Sequence, residues 1–419
     1  MSADGAFMPK GNYVSNATAA AGGALIVPLY LMNCGGTRKV GIEVALSVPG
    51  GAGSVTRLYE FDTGGKGFWA SAAGLDLTGA QTAGPIVTQY TSGITYLGTA
   101  TRLQVTLAGV QIDTAPTSMS ADLYVGVVSQ LYELQSSVAD GGRVAEKGGG
   151  NDEQEQPASF PIYDYFYGDF GVALAATSIV PASQQPVALN HPLPDGAPSL
   201  DGYNEWAILG ALSQFQPAIA NPYFIIDLAN TDASAVWDGN PPKPAGDAAT
   251  SVTAVGRLII GGSAALVEGF QHIFPLLPNA GGSFYSPDGT TASQTDFVVA
   301  TEQQIAGTLI VDNSSKPPPL ATTFTMDTGC PQVTLHAGSQ LVASEFTPGT
   351  VTLTATDKAG RTLTLYSNGG GKWDSTVSPS APDGYVNSAL DPFLAYPTAF
   401  WLCANALELP LGVPGTVMM

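Results

Sequence analysis

The chain has 419 residues, of which only 11% are charged, and it sets 14 Lys and Arg against 34 Asp and Glu beside 50 glycines and 31 prolines. A net charge of −20, most of it carried after residue 140, repels phosphate backbones, so direct nucleic-acid binding is not expected. Low charge and abundant turn residues suit many short strands and suit long solvated helices poorly, and the length exceeds what one hydrophobic core usually serves.

Residues 1–18 are small and polar and are expected to form an extended arm. The start lacks the basic segment and apolar core of a secretion signal. The apolar stretch Ala19–Met32 is broken by Gly22, Gly23 and Pro28 and is too short for a bilayer, so no membrane association is expected. Residues 19–138 carry short alternating runs at Leu25–Leu31, Val40–Val48, Val55–Phe61, Ile86–Tyr90, Ile94–Leu97, Arg102–Leu107 and Asp122–Val128. Val40, Ile42, Val44, Leu46 and Val48 share one face at a period of two, which makes that face core, while Pro28 pushes the first strand toward an edge or a bulge. Short strands between glycine turns predict a β-sandwich or jelly-roll module.

Residues 139–159 are rich in glycine and polar side chains, have no apolar face, and predict a flexible linker. The middle region, 160–319, opens on the aromatic cluster Tyr163, Tyr165, Phe166 and Tyr167. A short helix is expected over 204–216, with Asn204 as N-cap, Ile208, Leu212 and Phe215 on one face, and Pro217 as the stop. Tyr223–Leu228, Ala254–Ile260, Phe297–Ala300 and Thr308–Val311 read as strands, and Ser314–Pro319 as a stiff spacer. The C-terminal module, 320–419, adds strands at Val333–Leu335 and Leu341–Phe346 and a hairpin over Val351–Tyr366. Its turn is Asp357-Lys358-Ala359-Gly360, with Gly360 at positive φ.

Residues 351–375 echo residues 44–71: Val44, Leu46, Ala52, Gly53, Leu58 and Tyr59 match Val351, Leu353, Ala359, Gly360, Leu365 and Tyr366. A Gly-Gly-Lys loop ending on tryptophan follows in each, at Gly64–Lys66 with Trp69 and at Gly370–Lys372 with Trp373. A fainter echo pairs Ala100–Leu107 with Ala404–Leu411. The expected architecture is mainly β: tandem β-sandwich or jelly-roll-like modules, N- and C-terminal modules related by duplication, around a more irregular middle.

Reactive constellations are scarce. No G-x-S-x-G elbow is present, and His191, His272 and His336 are too far apart in sequence for a local metal site. The Gly-Gly-Lys loops lack the phosphate-cradle frame and follow hairpins, and a lysine stem packed on Trp69 or Trp373 accounts for them. Asp195, Asp201 and Asp288 sit in Asp-Gly turns without the distal ligands of a calcium loop. Glu205 and Asp227, beside Trp206 and Tyr223, are the nearest approach to a glycosidase carboxylate pair, with Glu205 better explained as first-turn charge of a helix. Cys34, Cys330 and Cys403 are too few for a disulfide framework; a Cys330–Cys403 pair is left open against three buried thiols.

No catalytic, cofactor or metal residue is assigned on these grounds, and the chain is expected not to be an enzyme. Its composition is that of viral capsid and bacteriophage virion proteins as a class. The expected function is structural: self-assembly, with copies of itself and other particle proteins as partners and the virion as location. A carbohydrate-binding fibre or adhesin, or a β-rich carbohydrate-active enzyme, is the alternative.

Overall fold

The computed structural model describes residues 15–34, 37–90, 92–112, 116–134, 155–163, 165–215, 218–219, 221–232, 251–276, 283–285, 291–293, 305–312, 319–330, 333–336, 350–369, 385–402 and 416–418. A short helix, α1 (Asn16–Ala21), comes first, with the Ser15 hydroxyl accepting the Thr18 amide at 3.0 Å as its N-cap. The expected arm is therefore helical from Asn16 onward. Strands follow as β1 (Leu25–Cys34), β2 (Thr37–Ser47), β3 (Val55–Asp62), β4 (Phe68–Ser71), β5 (Thr82–Gln89), β6 (Ile94–Ala108), β7 (Ser118–Leu134), β8 (Glu155–Ala158) and β9 (Gly168–Gly171). After helix α2 (Ala211–Phe215) come β10 (Tyr223–Asp232), β11 (Ser251–Ile260), β12 (Ile273–Pro275), β13 (Ser283–Tyr285), β14 (Thr291–Ser293), β15 (Ile305–Asp312) and β16 (Leu320–Thr325). The chain continues with β17 (Thr334–His336), β18 (Thr350–Thr356), β19 (Thr362–Gly369), β20 (Tyr385–Asn387), helix α3 (Asp391–Ala395), β21 (Thr398–Trp401) and β22 (Thr416–Met418).

The protein is mainly β. Strands β2, β3, β9, β4, β7 and β6 are hydrogen-bonded in that order, and a further pairing of β2 with β6 closes them into a barrel. The period-two pattern explains its filling. Val40, Ile42, Val44 and Leu46 of β2 point inward and are fully buried with Leu103, Val105 and Leu107 of β6 and with Phe61, Phe68 and Phe170. Beyond β1 the same sheet runs through β11, β10, β21 and β22 to β12, so residues 398–401 share a sheet with residues 25–34. A second sheet has the order β17-β20-β16-β15-β18-β19.

β1 is an interior strand rather than an edge, and its register against β11 shifts between Leu31 and Met32, three residues beyond Pro28. Pro28 is tolerated because pairing with β2 begins only at Tyr30, leaving Pro28 opposite Arg257 of β11 alone. The expected helix over 204–216 shrinks to Ala211–Phe215 because its first half is claimed by neighbours. Asn204 adopts φ 55 and uses its side chain as a clamp on Val87, accepting the Val87 amide at 2.8 Å and donating to its carbonyl at 2.9 Å. Ile208 donates its amide to the Thr177 hydroxyl at 2.8 Å and accepts the Thr177 amide through its carbonyl. The linker expected over 139–159 lies outside the described residues up to 154, and residues 155–158 form β8 against β7.

The hairpin predicted at Val351–Tyr366 is present as β18 and β19, with Gly360 at φ 80 in its turn. Its relation to residues 44–71 is not reproduced in the pairing. Val44 lies opposite Arg57, whereas Val351 lies opposite Asn368, and the two hairpins belong to different sheets. Gly370–Lys372, Trp373, the segment Ala404–Leu411, and the expected strands Phe297–Ala300 and Leu341–Phe346 lie outside the described residues.

Candidate active site

β3 and β16 run into the same tripeptide, Asp62-Thr63-Gly64 and, two residues past the end of its strand, Asp327-Thr328-Gly329. Each delivering strand has a parallel neighbour. β9 runs beside β3 with Glu60 opposite Asp169, and β20 runs beside β16 with Thr325 opposite Asn387. Asp169 and Asn387 thus hold matching places, each level with the residue two before a loop aspartate.

The two loops are locked face to face by their threonines. Thr63 Oγ1 donates to the Met326 carbonyl at 2.7 Å and accepts the Thr328 amide at 2.9 Å. Reciprocally, Thr328 Oγ1 donates to the Phe61 carbonyl at 2.6 Å and accepts the Thr63 amide at 3.0 Å. Both side chains are buried, so four backbone groups that water cannot reach are satisfied by two hydroxyls. Glycine is required next to each threonine because the loops approach so closely. A Cβ on Gly64 would fall 2.5 Å from the Asp327 carboxyl carbon, and one on Gly329 would fall 2.5 Å from that of Asp62.

This lock brings the carboxyl groups of Asp62 and Asp327 into hydrogen-bond contact. Asp62 Oδ1 accepts the Gly64 amide at 2.7 Å. Asp327 Oδ1 accepts the Gly329 and Cys330 amides at 2.8 and 3.2 Å, while its Oδ2 accepts Asn387 Nδ2 at 2.6 Å. Burial, then the charges of Asp327 and Asp169, hold the Asp62 carboxyl well above the usual carboxylate range. A carboxyl raised in this way holds its proton more tightly, so Asp62 set against a second carboxyl places groups suited to acid and base roles side by side.

Further buried charges surround the pair. Lys39 Nζ donates to Glu60 Oε1 at 2.6 Å and to the Gly329 carbonyl at 2.5 Å, and it lies 4.9 Å from the centre of the Tyr163 ring. Burial opposes its charge, but Glu60 and its neighbours outweigh that and keep the ammonium protonated. Asp169 is buried and held well above the ordinary range by burial and by the charge of Glu60. The Tyr90 hydroxyl donates to Asp169 Oδ2.

Tyr90 and Ser92 belong to the turn between β5 and β6, and both line the cavity above the carboxyl pair. The base of that hairpin is tied down through Gln89. Its Nε2 donates to Thr95 Oγ1, Glu155 Oε1 and the His191 carbonyl at 3.0, 2.9 and 3.0 Å, and its Oε1 accepts the His191 amide at 2.9 Å. Burial pushes the Glu155 carboxyl up to about 7. A carboxyl raised on folding binds its proton more tightly in the native state, so its stabilising share is complete below its unfolded value of 4.5 and is lost as pH rises through about 7. Glu155→Gln is expected to remove that loss, on the order of 2 kcal/mol, when unfolding by denaturant is compared near pH 5 and near pH 8.

Of the residues singled out from sequence, Gly64 belongs to the first loop, Tyr163 lies under Lys39, and Cys330 is buried beside the second loop. Glu205 is exposed in a turn, not in a helix, and Asp227 is buried on β10 with Arg257, whose Nε and Nη2 donate to its Oδ2 at 3.0 and 2.7 Å; they form no carboxylate pair. His272 Nδ1 is 3.1 Å from Asp357 Oδ2 beside the β18–β19 turn, and His191 contributes its backbone to Gln89. Asp201 is hydrogen-bonded to Ser199 at 2.6 Å, and Asp288 and Cys403 lie outside the described residues. Tyr165 and Phe166 are core, and Tyr167 faces the Arg57 guanidinium at 4.2 Å. Trp69 donates its indole N–H to the Lys66 carbonyl at 2.9 Å, so it anchors the end of the first loop from below. Among the described residues no helix is long and apolar enough to cross a membrane.

The expectation that the chain is not an enzyme is corrected: dedicated loops hold the buried Asp62 carboxyl against the partly buried Asp327 carboxyl, an arrangement suited to acid–base chemistry. No family model matches the chain, and no curated protein matches its sequence. Among solved structures, the fold is similar to that of the aspartic proteinase from Irpex lacteus, with 12% identity and a TM-score of 0.46, covering 94% of this chain and 96% of that one. It is similar to the same degree, TM-score 0.46, to Basic 7S globulin from soybean, at 10% identity and with 94% and 96% of the two chains covered.

Proposed function

We propose that the protein hydrolyses peptide bonds with the Asp62–Asp327 pair as its general base and general acid. The observation that carries this reading is the pair of Asp-Thr-Gly loops, cross-bonded through Thr63 and Thr328 so that the buried Asp62 carboxyl and the partly buried Asp327 carboxyl lie in hydrogen-bond contact. The ionised carboxyl takes a proton from a water molecule placed between the two groups, and the protonated one donates to the peptide carbonyl oxygen. Water oxygen bonds to the carbonyl carbon and gives a tetrahedral diol. Proton transfer to the amide nitrogen then breaks the C–N bond, releasing an amine and a carboxylic acid and returning the pair to its starting protonation state. The Gly64, Gly329 and Cys330 amides hold the carboxyls in place throughout.

The test is to incubate the protein with an unfolded protein substrate from about pH 3 to about pH 8 in water enriched in heavy oxygen, and to read the products by mass spectrometry. New peptide ends carrying one solvent oxygen in the carboxylate are expected, with best rates in acid, where one carboxyl of the pair keeps its proton. A substrate left intact at every pH overturns the reading. An acyl-enzyme trapped by hydroxylamine overturns the direct attack of water.

A further inference from the structure

The cavity above the carboxyl pair is not balanced in charge. On one side Asn387, a neutral donor, faces Asp327 through a 2.6 Å hydrogen bond. The matching place on the other side holds Asp169, whose Oδ2 accepts from Tyr90 while its Oδ1 has no hydrogen-bond partner among the described residues. Asp169 is only 3% exposed and lines the cavity with Glu60, Asp62 and Asp327. The cation in that lining, Lys39, is already engaged by Glu60 and the Gly329 carbonyl. A buried carboxylate oxygen without a donor costs free energy that an incoming cation or N–H group recovers.

Building on the peptide-hydrolysis reading, we infer that Asp169 Oδ1 receives the cationic head of a lysine or arginine side chain next to the scissile bond. The acidic wall of Asp169 and Glu60 then selects basic peptides, while the neutral Asn387 side imposes no charge. Tyr90, from the turn of the β5–β6 hairpin, holds the Asp169 carboxyl by its other oxygen, so Oδ1 is the atom left to pair with an incoming donor. Asp169 acts here as a specificity-determining residue, apart from the bond-breaking pair.

The test profiles cleavage of a peptide library by the intact protein and compares kcat/KM for peptides with lysine or with norleucine beside the cut bond. A preference for lysine on the order of ten- to a hundredfold is expected, and Asp169→Asn is expected to collapse that ratio to within about twofold. As a check that needs no variant, a peptide whose scissile bond is reduced should bind the wild type more tightly, by a similar factor, with lysine than with norleucine. Cleavage with no bias toward basic residues overturns this inference and leaves peptide hydrolysis standing. Absence of cleavage together with equal binding of the two reduced peptides overturns both. Lysine-selective binding without cleavage supports the acidic subsite and overturns hydrolysis.

Discussion

Asp62→Asn is expected to yield a folded protein whose kcat/KM for peptide hydrolysis is lower by about a thousandfold or more. The amide cannot take a proton from water, and the remaining carboxyl has no partner with which to divide the acid and base roles. The fold survives because Oδ1 of the new residue still accepts the Gly64 amide, and its amide group finds the carboxyls of Asp327 and Asp169 as acceptors. Stability should change with a definite sign. Burial and the charges of Asp327 and Asp169 raise the Asp62 carboxyl on folding, so the wild type is favoured in acid and loses that stability as pH rises above 3.8. The variant lacks the titrating group, so it should match the wild type in acid and exceed it at neutral pH. Asp327→Asn should be equally inactive but less stable. Its amide would face Asn387 Nδ2 in one rotamer and the Gly329 and Cys330 amides in the other, donor against donor either way. Equal melting curves for the two variants would contradict this account.

Thr328→Ala should cost about 2–4 kcal/mol of stability and most of the activity, since it leaves the buried Phe61 carbonyl and Thr63 amide without partners. Thr328→Ser keeps the hydroxyl and should restore most of both. The comparison separates a hydrogen-bonding role from packing, because serine lacks the methyl group and alanine lacks the oxygen. A Thr63→Ala, Thr328→Ala double variant should lose less than the sum of the two single losses, because the pair forms one network. Strict additivity in a denaturant series would show that the two loops are held independently.

The strands were legible in the sequence where alternation was strict. Val40 to Leu46 and Arg102 to Leu107 fill the barrel as their period demands, and the Asp357–Gly360 turn falls where its glycine places it. Asn204 misled because a residue suited to cap a helix is equally suited to clamp a distant strand, and only the position of Val87 decides between them. The site was harder to see, although its signal is short and literal: Asp-Thr-Gly occurs at 62–64 and again at 327–329, each time after a strand. Matching whole segments drew attention to Val351–Tyr366, whose likeness to residues 44–59 reflects alternation and glycine turns shared by many hairpins. Asp169 and Asn387 carry no local signature, since parallel pairing alone brings them beside the loops. Assembly into a virion was inferred from composition, a property of the whole chain, and no contact described here bears on it.

The cross-bonded threonines also set a clock. Thr63 and Thr328 are 265 residues apart in the chain. At synthesis rates of about 5–20 residues per second, the first loop therefore waits roughly a quarter of a minute to a minute on the ribosome before its mate exists. Until then a nascent chain holds only one of the two Asp-Thr-Gly loops. The separation in sequence therefore works as a delay: the proposed hydrolysis cannot start before residue 328 has been made.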